Sequence, residues 1–174
     1  MELFVALDVP LAVKRELRNI QNHLRQFDSS GKYESAENFH LTLSYIGEWT
    51  SQETIISHLE HIRFNSFELQ LHEPGIFENP GKSVVWVNVK ENDRLHALQQ
   101  MIVQALANAG VLINRFVFVP HISLAYGCNP SISSSFSACK VIPLSFEVSS
   151  FYLYVVHSVS ESTRFKKLRN FKLF

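Results

Sequence analysis

Two short segments carry the side chains best suited to chemistry, His40-Leu41-Thr42 and His121-Ile122-Ser123. Side chains on a strand alternate faces with a period of two, so each histidine shares a face with the hydroxyl residue ~6.5–7 Å further along. Leu41, Leu43 and Tyr45, like Ile122, Leu124 and Tyr126, are then expected to point the other way, into packing. An imidazole, with an ordinary pKa near ~6.5, can take or give a proton around neutral pH. Two imidazoles facing one another across a groove suit in-line displacement at phosphorus. One, neutral, accepts a proton from the attacking water, and the other, protonated, donates to the leaving oxygen. The hydroxyls of Thr42 and Ser123 would donate hydrogen bonds to the non-bridging oxygens and stabilise charge in the transition state. The scheme needs no metal or cofactor. It is also nearly symmetric, so residue physics leaves open which histidine is acid and which is base.

A lone His-x-Thr is common and carries little information. The second copy changes this, because it falls at the matching place of an internal repeat. At an offset of 81, residues 40–45 lie on residues 121–126, Leu3 on Val84, Phe4 on Val85, Leu17 on Leu98 and Ile20 on Met101. The elements that must position the motifs repeat in the same order. The apolar run Leu3 to Val9 reads as a buried strand ending at Pro10. Val13, Leu17, Ile20 and Leu24 mark a helix, and His40 to Ile46 is a strand closed by Gly47. A polar helix follows over about Ser51 to Arg63, then a half-buried strand from Phe67 to His72. The two Pro-Gly pairs in Glu73 to Gly81 predict the main break of the chain. Beyond it come a strand at Val84 to Val89 and a helix carrying Leu95, Leu98, Met101, Ile102, Ala105 and Leu106. The strand from Pro120 to Tyr126 is closed by Gly127. A Ser-rich loop from Asn129 to Lys140, one strand from about Phe146 to Val156 and a basic C-terminal segment complete the chain. The expected organisation is one domain over 1–174, with pseudo-repeat lobes at roughly 1–73 and 84–127 plus C-terminal strands within 146–174. An approximate twofold axis between the copies would bring their polar faces together across a groove.

Composition fits one such domain. The 174 residues are 46% hydrophobic, with 16 Lys+Arg against 16 Asp+Glu. This excludes disorder, collagen and a disulfide scaffold, and zero net charge argues against coating long nucleic acid. Glu2 and Asp8 interrupt what a signal peptide would need, and no run is long enough to span a membrane. Cys128 and Cys139 fit no metal or redox spacing and read as free cytosolic thiols. The expectation is a cytoplasmic monomer without membrane association.

The motifs, with Glu37-Asn38 before the first, Ile46-Gly47-Glu48 after it, Leu3 to Pro10, Val84-Val85-Trp86, Phe151 to Tyr154 and Thr163-Arg164-Phe165, resemble the 2H phosphoesterases. Within these the chain is similar to the bacterial RNA 2′,3′-cyclic phosphodiesterases, also called 2′–5′ RNA ligases. The resemblance implies an α+β, bilobal fold in which two antiparallel sheets line a central groove, with helices packed on the outside. It also implies hydrolysis of a terminal 2′,3′-cyclic phosphate to a 2′-phosphomonoester without a cofactor, the partner being an RNA 3′ terminus or a nucleoside 2′,3′-cyclic phosphate. Carried over by motif, His40 is the proton donor, His121 the proton acceptor, and Thr42 and Ser123 bind the phosphate. Three positions depart from the pattern. Ser123 stands where relatives often have Thr, Tyr126 where they tend to carry Arg, and Ser35-Ala36 where a basic residue and Pro are common.

Other candidates are weaker. His58 and His61 share a helix face but lack a third metal ligand. Trp86 reads as core, while Tyr33 is open to base stacking. Five basic residues, Arg164, Lys166, Lys167, Arg169 and Lys172, guard an edge strand or form an electrostatic lip for a phosphate. A non-catalytic binder of RNA termini and RNA end joining in the same site are the competing functions.

Overall fold

The computed structural model describes residues 1–80, 83–113, 117–129, 131–157 and 164–174. Gly81 and Thr163, named above, lie outside the described residues. In chain order the strands are β1 (Glu2–Asp8), β2 (Lys32–Tyr33), β3 (His40–Glu48), β4 (Phe67–Phe77), β5 (Val84–Val89), β6 (His121–Tyr126), β7 (Ser145–Val148), β8 (Ser150–Val156) and β9 (Phe165–Lys172). The helices are α1 (Leu11–Arg25), α2 (Gln52–Leu59), α3 (Asp93–Asn108) and α4 (Ile132–Ser137), with a 3-10 turn at Ala36–Asn38. No helix among the described residues is long and apolar enough to cross a membrane.

Alternation decides which faces are buried. In β1, Leu3, Val5 and Leu7 join the main core with Leu17, Ile20 and Leu24 of α1, while Phe4 and Ala6 pack on the opposite face with Tyr154. Each fully buried leucine contributes roughly 1.5–3 kcal/mol relative to exposure. On α3, Leu95, Leu98, Ile102 and Leu106 are buried as the helical period requires, but Met101, expected in the stripe, is 39% exposed.

The strands join antiparallel in the order β7-β4-β5-β6-β3-β1-β8-β9, with β2 attached to β6. The fold is α+β, and the two antiparallel sheets expected are halves of one nine-stranded sheet, joined through Leu41↔Ile122. The order is symmetric about that contact, β3 matching β6, β1 matching β5, β8 matching β4 and β9 matching β7. Strand pairing does not follow the sequence grouping of the expected lobes. β4, counted with 1–73, lies on β5, and β8, counted with the second half, lies on β1.

Three elements differ from expectation. The Pro-Gly segment is not a break: β4 runs through Pro74-Gly75, pairing β7 with its first part and β5 with its second. Its irregularity falls between Leu71 and Pro74, which is where a residue lacking an N–H is tolerated in a ladder. Gly75 serves close packing, since a Cβ there would lie 2.1 Å from the Trp86 ring. The Ser-rich loop contains α4, anchored by Ile132 and Phe136, each 2% exposed at i and i+4. The single strand expected to end at Val156 is two, separated by Ser149, and these pair at opposite ends of the strand order. One residue can link them only if the sheet curls until its ends approach. The C-terminus stitches the same corner, Leu173 N–H donating to the Ser149 carbonyl and Ser66 N–H to the Phe174 carbonyl at 2.7 Å.

Candidate active site

β3 and β6 touch at one pair, Leu41 and Ile122, which are the positions related by the offset of 81. In that antiparallel register the residue before Leu41 lies across from the residue after Ile122. His40 is therefore set across from Ser123, and Thr42 across from His121. All four are partly exposed, while Leu41, Leu43, Ile122 and Leu124 behind them are at most 2% exposed.

The two tyrosines do not follow the leucines. Tyr45 is 58% exposed, and its hydroxyl donates to Glu2 at 2.5 Å. Tyr126 turns toward Ser123. In each motif strand the pairing slips by one residue, at Leu43 opposite Val5 and Ala6 and at Leu124 opposite Val85 and Trp86. An extra residue reverses the faces that follow. Ser44 and Ala125 are buried in consequence, and the tyrosines come round to the other side. The bulges are braced from behind: Gln21 Nε2 donates to the Leu124 carbonyl at 2.8 Å, and Gln99 Nε2 to the Leu43 carbonyl at 3.3 Å. Gln21 also donates to the Glu34 carbonyl at 2.8 Å.

Both histidines are oriented alike. His40 Nδ1 is 2.6 Å from the Asn38 carbonyl, and His121 Nδ1 is 2.7 Å from the Val119 carbonyl. A carbonyl only accepts, so Nδ1 carries the proton and Nε2 is left to exchange one. Aromatic rings wall each imidazole. Phe4 and Phe165 centroids are both 5.0 Å from His40, and Phe77 and Trp86 are 5.0 and 5.9 Å from His121. Burial pushes both imidazoles below the usual histidine value. At His40 the Asn38 carbonyl and the charges of Glu34 and Asp8 oppose that fall, while a charge on His121 adds to it. At His121 the Val119 carbonyl is the opposing influence.

Glu34, 8% exposed, accepts hydrogen bonds from the Asn38 amide at 2.9 Å and from Ser35 N–H at 3.1 Å. Burial raises the Tyr126 pKa; Ser123 and Arg164 oppose the rise and Glu34 reinforces it. The Arg164 guanidinium lies 5.3 Å over Phe165, the ring that packs against His40.

The remaining candidates are structural. Tyr33 donates from its hydroxyl to the Asp28 carbonyl at 2.6 Å and is covered by the Arg25 guanidinium at 4.6 Å. His58 and His61 bond through Nδ1 to carbonyls four residues earlier, Thr54 and Ser57. No three potential metal-binding side chains gather among the described residues. Cys128 and Cys139 are free, and burial pushes the Cys128 thiol up to about 11. Trp86 packs as expected but also faces His121. Sequence reading missed Glu34, Phe77, Gln21 and Gln99. Only the glutamines left a signal, each being a polar residue within an apolar helical stripe.

Comparison with known proteins matches this architecture. The family model described as the 2′-5′ RNA ligase superfamily matches residues 9–159. A Thermotoga maritima protein named RNA 2′,3′-cyclic phosphodiesterase is 33% identical over 71% of this chain and 68% of its own length. The Escherichia coli protein of that name is 27% identical over 98% of this chain and 96% of its own. An Archaeoglobus fulgidus protein, again with that name, is 33% identical over 63% of this chain, the alignment spanning 64% of that relative. The crystal structure of E. coli LigT complexed with 3′-AMP superposes with a TM-score of 0.80 at 26% identity, covering 99% of this chain and 97% of that one. With its paired His-x-hydroxyl strands joined at Leu41 and Ile122, this chain belongs to the 2′-5′ RNA ligase superfamily, the 2H phosphoesterases, and is an enzyme of that family.

Proposed function

We propose that the protein hydrolyses a terminal 2′,3′-cyclic phosphate on RNA to a 2′-phosphomonoester by two-histidine acid–base catalysis. The observation that carries this reading is the pair of imidazoles on facing strands, each tied at Nδ1 to a carbonyl, with a hydroxyl residue beside each. His121 Nε2 takes a proton from water as the water oxygen bonds to phosphorus. His40 Nε2–H gives its proton to the 3′ oxygen as that P–O bond breaks, which leaves the phosphate on the 2′ oxygen. Thr42 and Ser123 donate to the non-bridging oxygens. The roles are those that the family resemblance implies, and an asymmetry in the field supports them. Glu34 and Asp8 both favour a proton on His40, and among the described residues no carboxylate acts comparably on His121. The names of the relatives support the substrate class.

Incubation with nucleoside 2′,3′-cyclic phosphates, in the presence and absence of EDTA, tests the reading. The expected product is the 2′-phosphate with a bell-shaped pH profile, and His40→Ala or His121→Ala should each lower turnover by about 10²–10⁴-fold with folding intact. Full activity in both variants would overturn the mechanism. Tight binding of a 2′-phosphate without turnover of any cyclic substrate would favour a binder of RNA ends.

A further inference from the structure

A cluster of cations beside the site has no part in the mechanism above. Asp8 ends β1 directly across the ladder from His40. Its carboxylate is held by two ammoniums, Lys14 Nζ at 3.1 Å and Lys167 Nζ at 2.6 Å, so the three groups together keep a positive charge. Lys167 also lies 4.2 Å over the Tyr152 ring, on the face that carries Phe4 and Tyr154. Lys14 continues into a second feature. With Arg15 and Arg18 it lines a cavity of about 400 Å³ bounded by Ala36 and Glu37, in the 3-10 turn that leads into His40. Arg15 and Arg18 are exposed and form no ion pair among the described residues. The acid of this helix, Glu16, is buried on the far side, where it accepts a hydrogen bond from Ile142 N–H.

Lys14, Arg15, Arg18 and Lys167 thus stand against Asp8 and Glu37 along a path starting at His40. In a chain whose net charge is zero, such a local excess is a directed field rather than a general solubility charge. Lys14 and Arg18, at i and i+4, are separated by one helical turn on one face, a rise of about 6 Å. Spaced cations suit the repeated phosphates of a nucleic-acid strand, whereas a cyclic nucleotide carries one phosphate and would leave them unused.

We propose that Lys14, Arg15, Arg18 and Lys167 form a second subsite for the internucleotide phosphates adjoining a cyclic end, which makes an oligonucleotide the preferred substrate over a cyclic mononucleotide. The nature of the end group rests on the phosphodiesterase reading above. The subsite itself rests on the cation geometry.

The test compares the wild-type protein with the double variant Arg15→Gln/Arg18→Gln, using a trinucleotide ending in a 2′,3′-cyclic phosphate and the corresponding cyclic mononucleotide. The trinucleotide-to-mononucleotide ratio of kcat/KM should fall about tenfold in the variant, and its log–log salt dependence on the trinucleotide should become shallower by about one unit. An unchanged ratio and slope, or an equal loss on both substrates, would overturn the subsite. Fluorescence anisotropy with a trinucleotide ending in a 2′-phosphate reads the same subsite without turnover. Weaker binding by the variant, with neither cyclic substrate hydrolysed by the wild type, would sink the phosphodiesterase reading and leave the subsite standing. Equal affinities, with the cyclic substrates hydrolysed by the wild type, would overturn the subsite and leave the phosphodiesterase reading standing.

Discussion

An imidazole tied at Nδ1 to a backbone carbonyl has one nitrogen left for chemistry, and its surroundings set how readily that nitrogen holds a proton. At His40 the buried Glu34 carboxylate works against desolvation. Glu34→Gln keeps an acceptor for the Asn38 amide and removes the charge. NMR titration should then show His40 moving to lower pH while His121 stays in place. Because both imidazoles already sit below the usual histidine value, the variant at pH 7.5 should lose kcat/KM if His40 is the donor, since the donor must be protonated. Unchanged kcat/KM would reverse the two roles. The residue types of the site were legible because His, Thr and Ser recur at matching positions. Glu34 was not, because a carboxylate acts on His40 through space, and its separation of six residues along the chain says nothing about that.

At the scale of elements, the repeat and the buried stripes were legible, whereas interruptions were not. Pro74-Gly75 has turn chemistry, yet the indole of Trp86 needs the space that a missing Cβ leaves. Gly75→Ala should therefore destabilise the fold by about 1–3 kcal/mol through overpacking. By displacing Trp86 it should also lower kcat, which a urea melt and a turnover assay will show; a stable, fully active variant would refute this account of the glycine. The bulges at Leu43 and Leu124 invert side-chain facing, and neither has a signature in a run of alternating residues. Gln21 supports the one at Leu124 by satisfying a carbonyl in a 0% exposed setting. Gln21→Leu would remove the amide donor from the Glu34 carbonyl and leave the Leu124 carbonyl with the Glu34 N–H in place of two donors, and should cost about 1–3 kcal/mol by the same urea measurement.

For the whole molecule, burial of the His40 and His121 imidazoles has a consequence for folding. The unfolded chain takes up protons at these groups near 6.5, while the native state resists until lower pH. The unfolded state then binds more protons, so stability rises with pH through this window and is lost as pH falls below about 6.5. Asp8 adds a second stage. Burial would raise its pKa, but the hydrogen bonds and charges of Lys167 and Lys14 hold it below 3.8, and its contribution is lost as pH falls through that region. Urea midpoints between pH 7.5 and 5.5 should decline, and the double variant His40→Gln/His121→Gln should flatten that decline; an equal decline in both proteins would place its origin elsewhere. The sequence by itself determined the repeated strand–helix–strand order and the four polar residues on two strands, because these depend on residue type and on periods of 2 and 3.6, while the α+β class came with the family resemblance of its motifs. Tertiary structure decided that the two motifs meet at Leu41 and Ile122, that β4 and β8 exchange sides, and that Glu34 and Asp8 come near His40 and Arg164 near Tyr126. Those contacts join positions up to 159 residues apart, as Lys167 to Asp8 shows, and are fixed by the curl of one sheet rather than by any local pattern.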